Sequence, residues 1–152
     1  MKHLGPEEIF SNFAKMDFVY GPAFQNLIGS DVAGKRSVTD FCLAPSSLED
    51  VYGGDYILHP TTLDSVFQSC FGCLAADAQE TAVFLPRRIG RLFVPSNLGK
   101  HQGHMLESFM ELVRLSKRDA TFQGLVVPVA KNGSDEGKVA FTDHNESDRC
   151  LR

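Results

Sequence analysis

One amphipathic helix among short strand-like runs constrains this chain more than any other feature. Leu63, Val66, Phe67, Cys70 and Leu74 recur at i, i+3, i+4, i+7 and i+11, one apolar face of a helix about four turns long. Thr61 or Thr62 is placed to cap its start, directly after His59-Pro60. A shorter helix is predicted near the beginning. Pro6 suits the first helical position and Glu7 and Glu8 suit the positive end of the dipole. Ile9, Phe10, Phe13 and Met16 then follow at helical spacing, until Tyr20-Gly21-Pro22 breaks the pattern.

The rest reads as strands and turns. Ala23 to Ile28 is a turn of helix or the entry to a strand, and Val32 to Leu43 carries one loose strand pattern. Pro45 to Asp50 and Gly53-Gly54-Asp55 form a loop. After the main helix, Ala76 to Thr81 is a polar turn. Four strand-like stretches follow: Ala82 to Leu85, Ile89 to Val94, Met105 to Leu115 and Phe122 to Ala130. In the third, Met105, Glu107, Phe109, Glu111 and Val113 share one side, but apolar residues stand on both sides, so its buried face stays open. Pro128 places the last of these strands at an edge or a bulge. Lys131 to Gly137 is a turn cluster, Lys138 to Phe141 one more short strand, and 142–152 a polar tail behind a single domain spanning 1–141. Consecutive strands favour an antiparallel sheet and the α+β class, with a curled sheet wrapped around one buried helix.

Composition narrows the function classes. At 152 residues the chain suits one domain, and 43% hydrophobic with 22% charged residues excludes a disordered segment. A net charge of -4 argues against a general nucleic-acid binder. No apolar run approaches the roughly 20 residues that span a bilayer, and the first ten residues lack a signal-peptide core, so cytoplasm is the expected compartment. Cys42, Cys70, Cys73 and Cys150 are too scattered for a disulfide framework.

The chemistry concentrates in His59 to Gln68. Asp64 is expected in the first helical turn and Gln68 one turn on, at i+4, on the same face beside the apolar stripe. A partly buried carboxylic acid held by the helix start and by a Gln68 hydrogen bond can donate a proton to a leaving hydroxyl. The alternative is that Asp64 only caps the helix and Gln68 is a solvated neighbour.

Three stretches carry a resemblance. His59-Pro60-Thr61-Thr62-Leu63-Asp64-Ser65-Val66-Phe67-Gln68 resembles the HPxxxDxxxQ motif of polyketide synthase dehydratase domains. Tyr20-Gly21-Pro22-Ala23-Phe24-Gln25-Asn26-Leu27 resembles their YGPxFQxL motif, and Phe84-Leu85-Pro86-Arg87-Arg88-Ile89 their LPxxI stretch. The order and spacing match from about residue 7 to 95, and the wording is most similar to fungal highly reducing synthases.

The resemblance implies a hotdog fold, of which two copies make the family's double hotdog. It also implies removal of water from a β-hydroxyacyl thioester on an acyl carrier protein. A histidine of the first half takes the α proton, and the aspartate of the second half protonates the leaving hydroxyl. Carried over, Asp64 is the acid and Gln68 positions it. Tyr20 and Gly21 line the pocket, Leu85 and Pro86 shape its wall, and His59 and Pro60 brace the helix start. The HxxxGxxxxP motif of the histidine half does not occur, so the chain reads as the C-terminal half, a single hotdog. Pairing is then expected, as a homodimer or with another half of a synthase. No cofactor or metal is implied beyond the carrier's phosphopantetheine.

Other signals weigh less. Cys70-Phe71-Gly72-Cys73 lies inside the helix and reads as core packing rather than a redox pair. His101 and His104 lack a third metal ligand and read as a polar loop. Arg87, Arg88 and Arg91 form a basic cluster suited to a phosphopantetheine phosphate or an acidic carrier protein, or simply a solvated strand edge. Two functional readings result. One is an enzyme of acyl-chain dehydration, isomerisation or cyclisation that uses Asp64. The other is a non-catalytic binding module, scaffold or fragment of a larger synthase.

Overall fold

A computed structural model describes residues 1–43, 57–75, 84–96, 98, 105–116 and 119–129. Strand β1 (Lys2–Leu4) leads into helix α1 (Pro6–Lys15), and a 3-10 turn (Pro22–Phe24) leads into β2 (Leu27–Ala33) and β3 (Arg36–Cys42). Helix α2 (Pro60–Ala75) and strands β4 (Met105–Leu115) and β5 (Ala120–Pro128) complete it. The five strands form one sheet in the order β1-β2-β3-β4-β5, with every pairing antiparallel. The sheet packs around α2, giving the α+β class that the residue pattern predicts and the single hotdog that the resemblance implies.

Local chemistry explains the boundaries. Pro6 opens α1, and the helix ends in a left-handed residue, Asp17, with φ +64°. The Phe18 N–H bonds to the Phe13 carbonyl at 3.0 Å and the Asp17 N–H to the Ala14 carbonyl at 3.1 Å, the paired bonds of a Schellman motif. The single strand expected over Val32 to Leu43 is instead a hairpin. Gly34, at φ +58°, takes the first position of the two-residue turn that joins β2 to β3, where a tight hairpin favours glycine. The 23–28 stretch divides between the 3-10 turn and the start of β2. Short β1 carries only three residues, too few for a period to register, and pairs with β2.

Two expected strands differ. Ile89 to Val94 is irregular apart from an isolated bridge at Ile89. Of Ala82 to Leu85, only Phe84 and Leu85 are described, and both are irregular. Lys138 to Phe141, the polar tail, the 44–56 loop and the His101–His104 segment lie outside the described residues. The face left open in β4 resolves clearly: Leu106, Ser108, Met110 and Leu112 are buried, and Glu107, Phe109 and Glu111 turn outward. Pro128 closes β5, an edge strand, where its missing N–H leaves no ladder bond unmade.

The helix sits close to the sheet because small residues face each other. Ser30, Ser37, Thr39 and Ser108 on the strands meet Ser65, Ser69, Gly72 and Cys73 on α2, all but Gly72 fully buried. A Cβ at Gly72 would stand 3.1 Å from Ser37 Cβ, tighter than an ordinary contact, so a larger residue would push the helix and strand apart by a few tenths of an ångström. Ser37 Oγ donates to the Ser69 carbonyl at 3.1 Å and lies 3.2 Å from Cys73 Sγ. Cys70 and Cys73 are thus core residues, and burial raises both thiols above the usual range.

Candidate active site

Helix α2 starts earlier than its threonines imply. The Thr62 and Leu63 N–H groups bond to the His59 carbonyl, which makes His59 the N-cap and Pro60 the first helical residue. The Thr61 N–H donates to His59 Nδ1 at 3.3 Å, and Thr61 Oγ1 lies 2.7 Å from the same nitrogen. An imidazole therefore caps the helix, and Asp64 stands one full turn in, not within the first turn.

Asp64 is half-buried, and Gln68 is only 2% exposed. Gln68 Nε2 donates to Asp64 Oδ2 at 2.7 Å and to the Phe24 carbonyl at 3.0 Å. Two acceptors on one side of the amide fix its orientation, since the flipped group would set oxygen against oxygen. Gln68 thereby ties α2 to the segment that begins at Tyr20. That segment braces itself: Gln25 Nε2 donates to the Tyr20 carbonyl at 2.7 Å, and Asn26 Nδ2 donates to the Ala23 carbonyl at 3.1 Å. Gly21 accepts the Phe24 N–H and starts the 3-10 turn.

Aromatic packing positions Tyr20. Its ring meets Phe13 edge-on at 5.2 Å and Phe10 at 6.2 Å and stacks with Phe18 at 6.4 Å, while Phe13 and Phe18 both pack on Phe71 of α2. Burial, and secondly the Asp64 carboxylate, raise the Tyr20 phenol to about 12. Gln68 thus bonds to Asp64, and Tyr20 lies within electrostatic reach of the same carboxylate. Sequence reading missed the Phe24 carbonyl and the aromatic cluster. Backbone acceptors leave no residue-type signal, and phenylalanines at helical spacing read simply as core.

Leu85 is 70% exposed, Pro86 is also exposed, and neither borders a described cavity. Arg87, Arg88 and Arg91 are exposed, with the Arg91 guanidinium 5.9 Å from the Phe93 ring centroid. Arg91 also borders an apolar cavity of about 100 Å³ lined by Val66, Phe67, Cys70, Met110 and Val126. This cavity lies between α2 and β4–β5, and neither Asp64 nor Gln68 borders it. Among the described residues no group of three or more His, Cys, Asp or Glu side chains could hold a metal ion.

Residues 1–134 match the family model described as polyketide synthase dehydratase N-terminal domain. The chain belongs to the polyketide synthase dehydratase family. It is 41% identical over 145 residues to the highly reducing polyketide synthase pks5 of Leptosphaeria maculans, covering 95% of this chain and 6% of that protein. It is 31% identical over 137 residues to the highly reducing polyketide synthase sorA of Penicillium rubens, covering 88% and 5%. The fold is similar to the dehydratase domain of RzxB from Pseudomonas fluorescens, with a TM-score of 0.65 and 20% identity, covering 90% of this chain and 45% of that one. A dehydratase domain of a mycocerosic acid synthase-like polyketide synthase gives 0.60 and 18%, covering 84% and 44%. The chain thus spans a small fraction of its curated relatives and under half of these dehydratase structures. No helix among the described residues is long and apolar enough to cross a membrane.

Proposed function

We propose that this chain, although the family model it matches is described as the N-terminal domain, is the second, C-terminal hotdog of a dehydratase domain, because it carries the HPxxxDxxxQ motif at His59 to Gln68, and that it supplies the acid of the reaction. Asp64 is the general acid, and the Gln68–Asp64 bond of 2.7 Å is the observation that carries the reading. The Gln68 amide, a neutral donor, fixes one carboxyl oxygen in place. The other oxygen has no partner among the described residues. An acid so placed can give its proton to a β-hydroxyl as a base removes the α proton; the Cα–Cβ double bond forms and water leaves. The same acid suits isomerisation or cyclisation of an acyl chain.

The substrate class is an acyl thioester on the phosphopantetheine of a carrier protein, with Arg87, Arg88 and Arg91 available to its phosphate or to an acidic carrier surface. The α-proton base comes from a histidine-bearing half supplied by a partner, because a second copy of this chain would bring the same residues and no matching histidine motif. Of the described histidines, His59 caps α2, and His3 is paired with Asp31 at 2.9 Å on strand β1. Exposed apolar residues on both sides of Tyr20-Gly21, namely Val19 and Phe24, together with Ile57, support a partner surface.

The test is turnover of a β-hydroxyacyl-pantetheine thioester by this chain combined with a histidine-bearing dehydratase half. Dehydration is expected, and Asp64→Asn is expected to lower it at least about 100-fold. Equal turnover by the Asp64→Asn chain and the native chain in that mixture would remove the proposed role.

A further inference from the structure

A second cavity, of about 30 Å³, lies between α1, α2 and the sheet. Gln68, Ser69, Ser30, Thr39 and Asn12, whose Oδ1 accepts from Lys15 Nζ, supply its polar wall, and Ile9, Phe13 and Leu27 are among its apolar lining. Two hydrogen-bonding valences at this cavity lack partners, and they are complementary. Gln68 uses Nε2 for Asp64 and Phe24, while its buried Oε1 has no donor. Ser30 Oγ and Thr39 Oγ1 lie 2.8 Å apart, and both residues are at least 96% buried. One hydroxyl donates to the other, so one O–H of the pair remains, and no other acceptor meets it among the described residues. The site therefore holds an acceptor without a donor and a donor without an acceptor. Each would cost about 1–3 kcal/mol if left unmet.

We propose that this cavity binds one ordered water that links the Ser30–Thr39 hydroxyl pair to Gln68 Oε1. The water accepts the remaining hydroxyl proton and donates to Oε1. Its second O–H reaches Ser69 Oγ, which spends its own proton on the Val66 carbonyl at 2.7 Å. Three hydrogen bonds are usual for a buried water, and the volume exceeds the roughly 10–15 Å³ that one requires. Ser30 and Thr39 thereby become positioning residues. They act through the water to hold the Gln68 amide, and through it the Asp64 carboxyl. The last step rests on the acid role proposed above, whereas the water site does not.

The assignment is tested on the full chain by crystallography at a resolution that shows ordered water. NMR exchange contacts between water and the Gln68 side-chain amide supply a second measurement on the native protein. Density within hydrogen-bond distance of both Gln68 Oε1 and one of the two hydroxyls is expected. Ser30→Ala and Thr39→Val singly should keep the water, because the surviving hydroxyl still offers its proton. The double variant should lose it, and its Gln68 amide resonances should shift and broaden. A dry cavity in the native protein, or a Gln68 amide turned so that nitrogen faces the cavity, overturns the site. If the water is present but Asp64→Asn leaves turnover intact, the acid reading fails and the water site stands.

Discussion

The Tyr20–Asp64 juxtaposition can be measured without any substrate. Tyr20 is raised from 10 to about 12, chiefly by burial and then by the Asp64 carboxylate. At pH 11 about one tenth of Tyr20 should therefore be ionised, against about nine tenths of an ordinary tyrosine. Replacing Asp64 by asparagine removes the secondary cause and keeps the first. The titration midpoint should move down toward 10 and stop short of it. The chain has three tyrosines, so phenolate absorbance is recorded as the difference between each protein and its Tyr20→Phe counterpart, with circular dichroism confirming that the fold persists. The phenol is neutral at ordinary pH, and its folded value lies above its unfolded one. Its contribution to stability is thus complete below pH 10 and is lost as pH rises through about 12. A Tyr20 midpoint at 10 in the native chain, or one that Asp64→Asn leaves unmoved, would refute the claim that these groups share a partly desolvated site.

Three further outcomes follow from the packing. Gln68→Met removes one hydrogen bond to a carboxylate and one to a carbonyl while keeping the volume; a loss of about 2 kcal/mol in urea unfolding is expected, and a change below about 0.5 would contradict the bonding described. Asp17→Gly should stabilise the chain by about 0.5–1 kcal/mol, because Asp17 holds a left-handed conformation that glycine adopts freely, and Asp17→Val should destabilise it in the same assay. Gly124→Ala should lower the thermal midpoint, with an overpacking cost of about 1–3 kcal/mol: the new Cβ would overlap Met110 Sδ and lie 2.8 Å from the Phe109 carbonyl oxygen, which is backbone and cannot swing aside.

The legible parts of the sequence were those where a short segment carries its own physics. Leu63, Val66, Phe67, Cys70 and Leu74 mark α2 because a helical period repeats over enough residues to be read. Asp64 and Gln68 pair because four residues is one helical turn. Other features depended on distant chain. Val32 to Leu43 reads as one strand because Gly34-Lys35 can be strand or turn until a partner strand decides, and β3 then pairs with both β2 and β4. Ile89 to Val94 has a strand's composition, yet only Ile89 makes even an isolated bridge.

The sequence by itself determined the helices, the motif order and the identity of the acid–amide pair. These follow from spacing along one backbone, where helical geometry fixes which side chains meet. Only the tertiary structure decided what surrounds that pair. The Phe24 carbonyl fixes the Gln68 amide, the aromatic cluster holds Tyr20 within electrostatic reach of Asp64, and small residues on three strands let α2 approach the sheet. Each brings together residues far apart in the chain, such as Phe24 with Gln68 and Ser37 with Ser69. No local period encodes such contacts, because they form only when α2 packs against the sheet and the 3-10 turn.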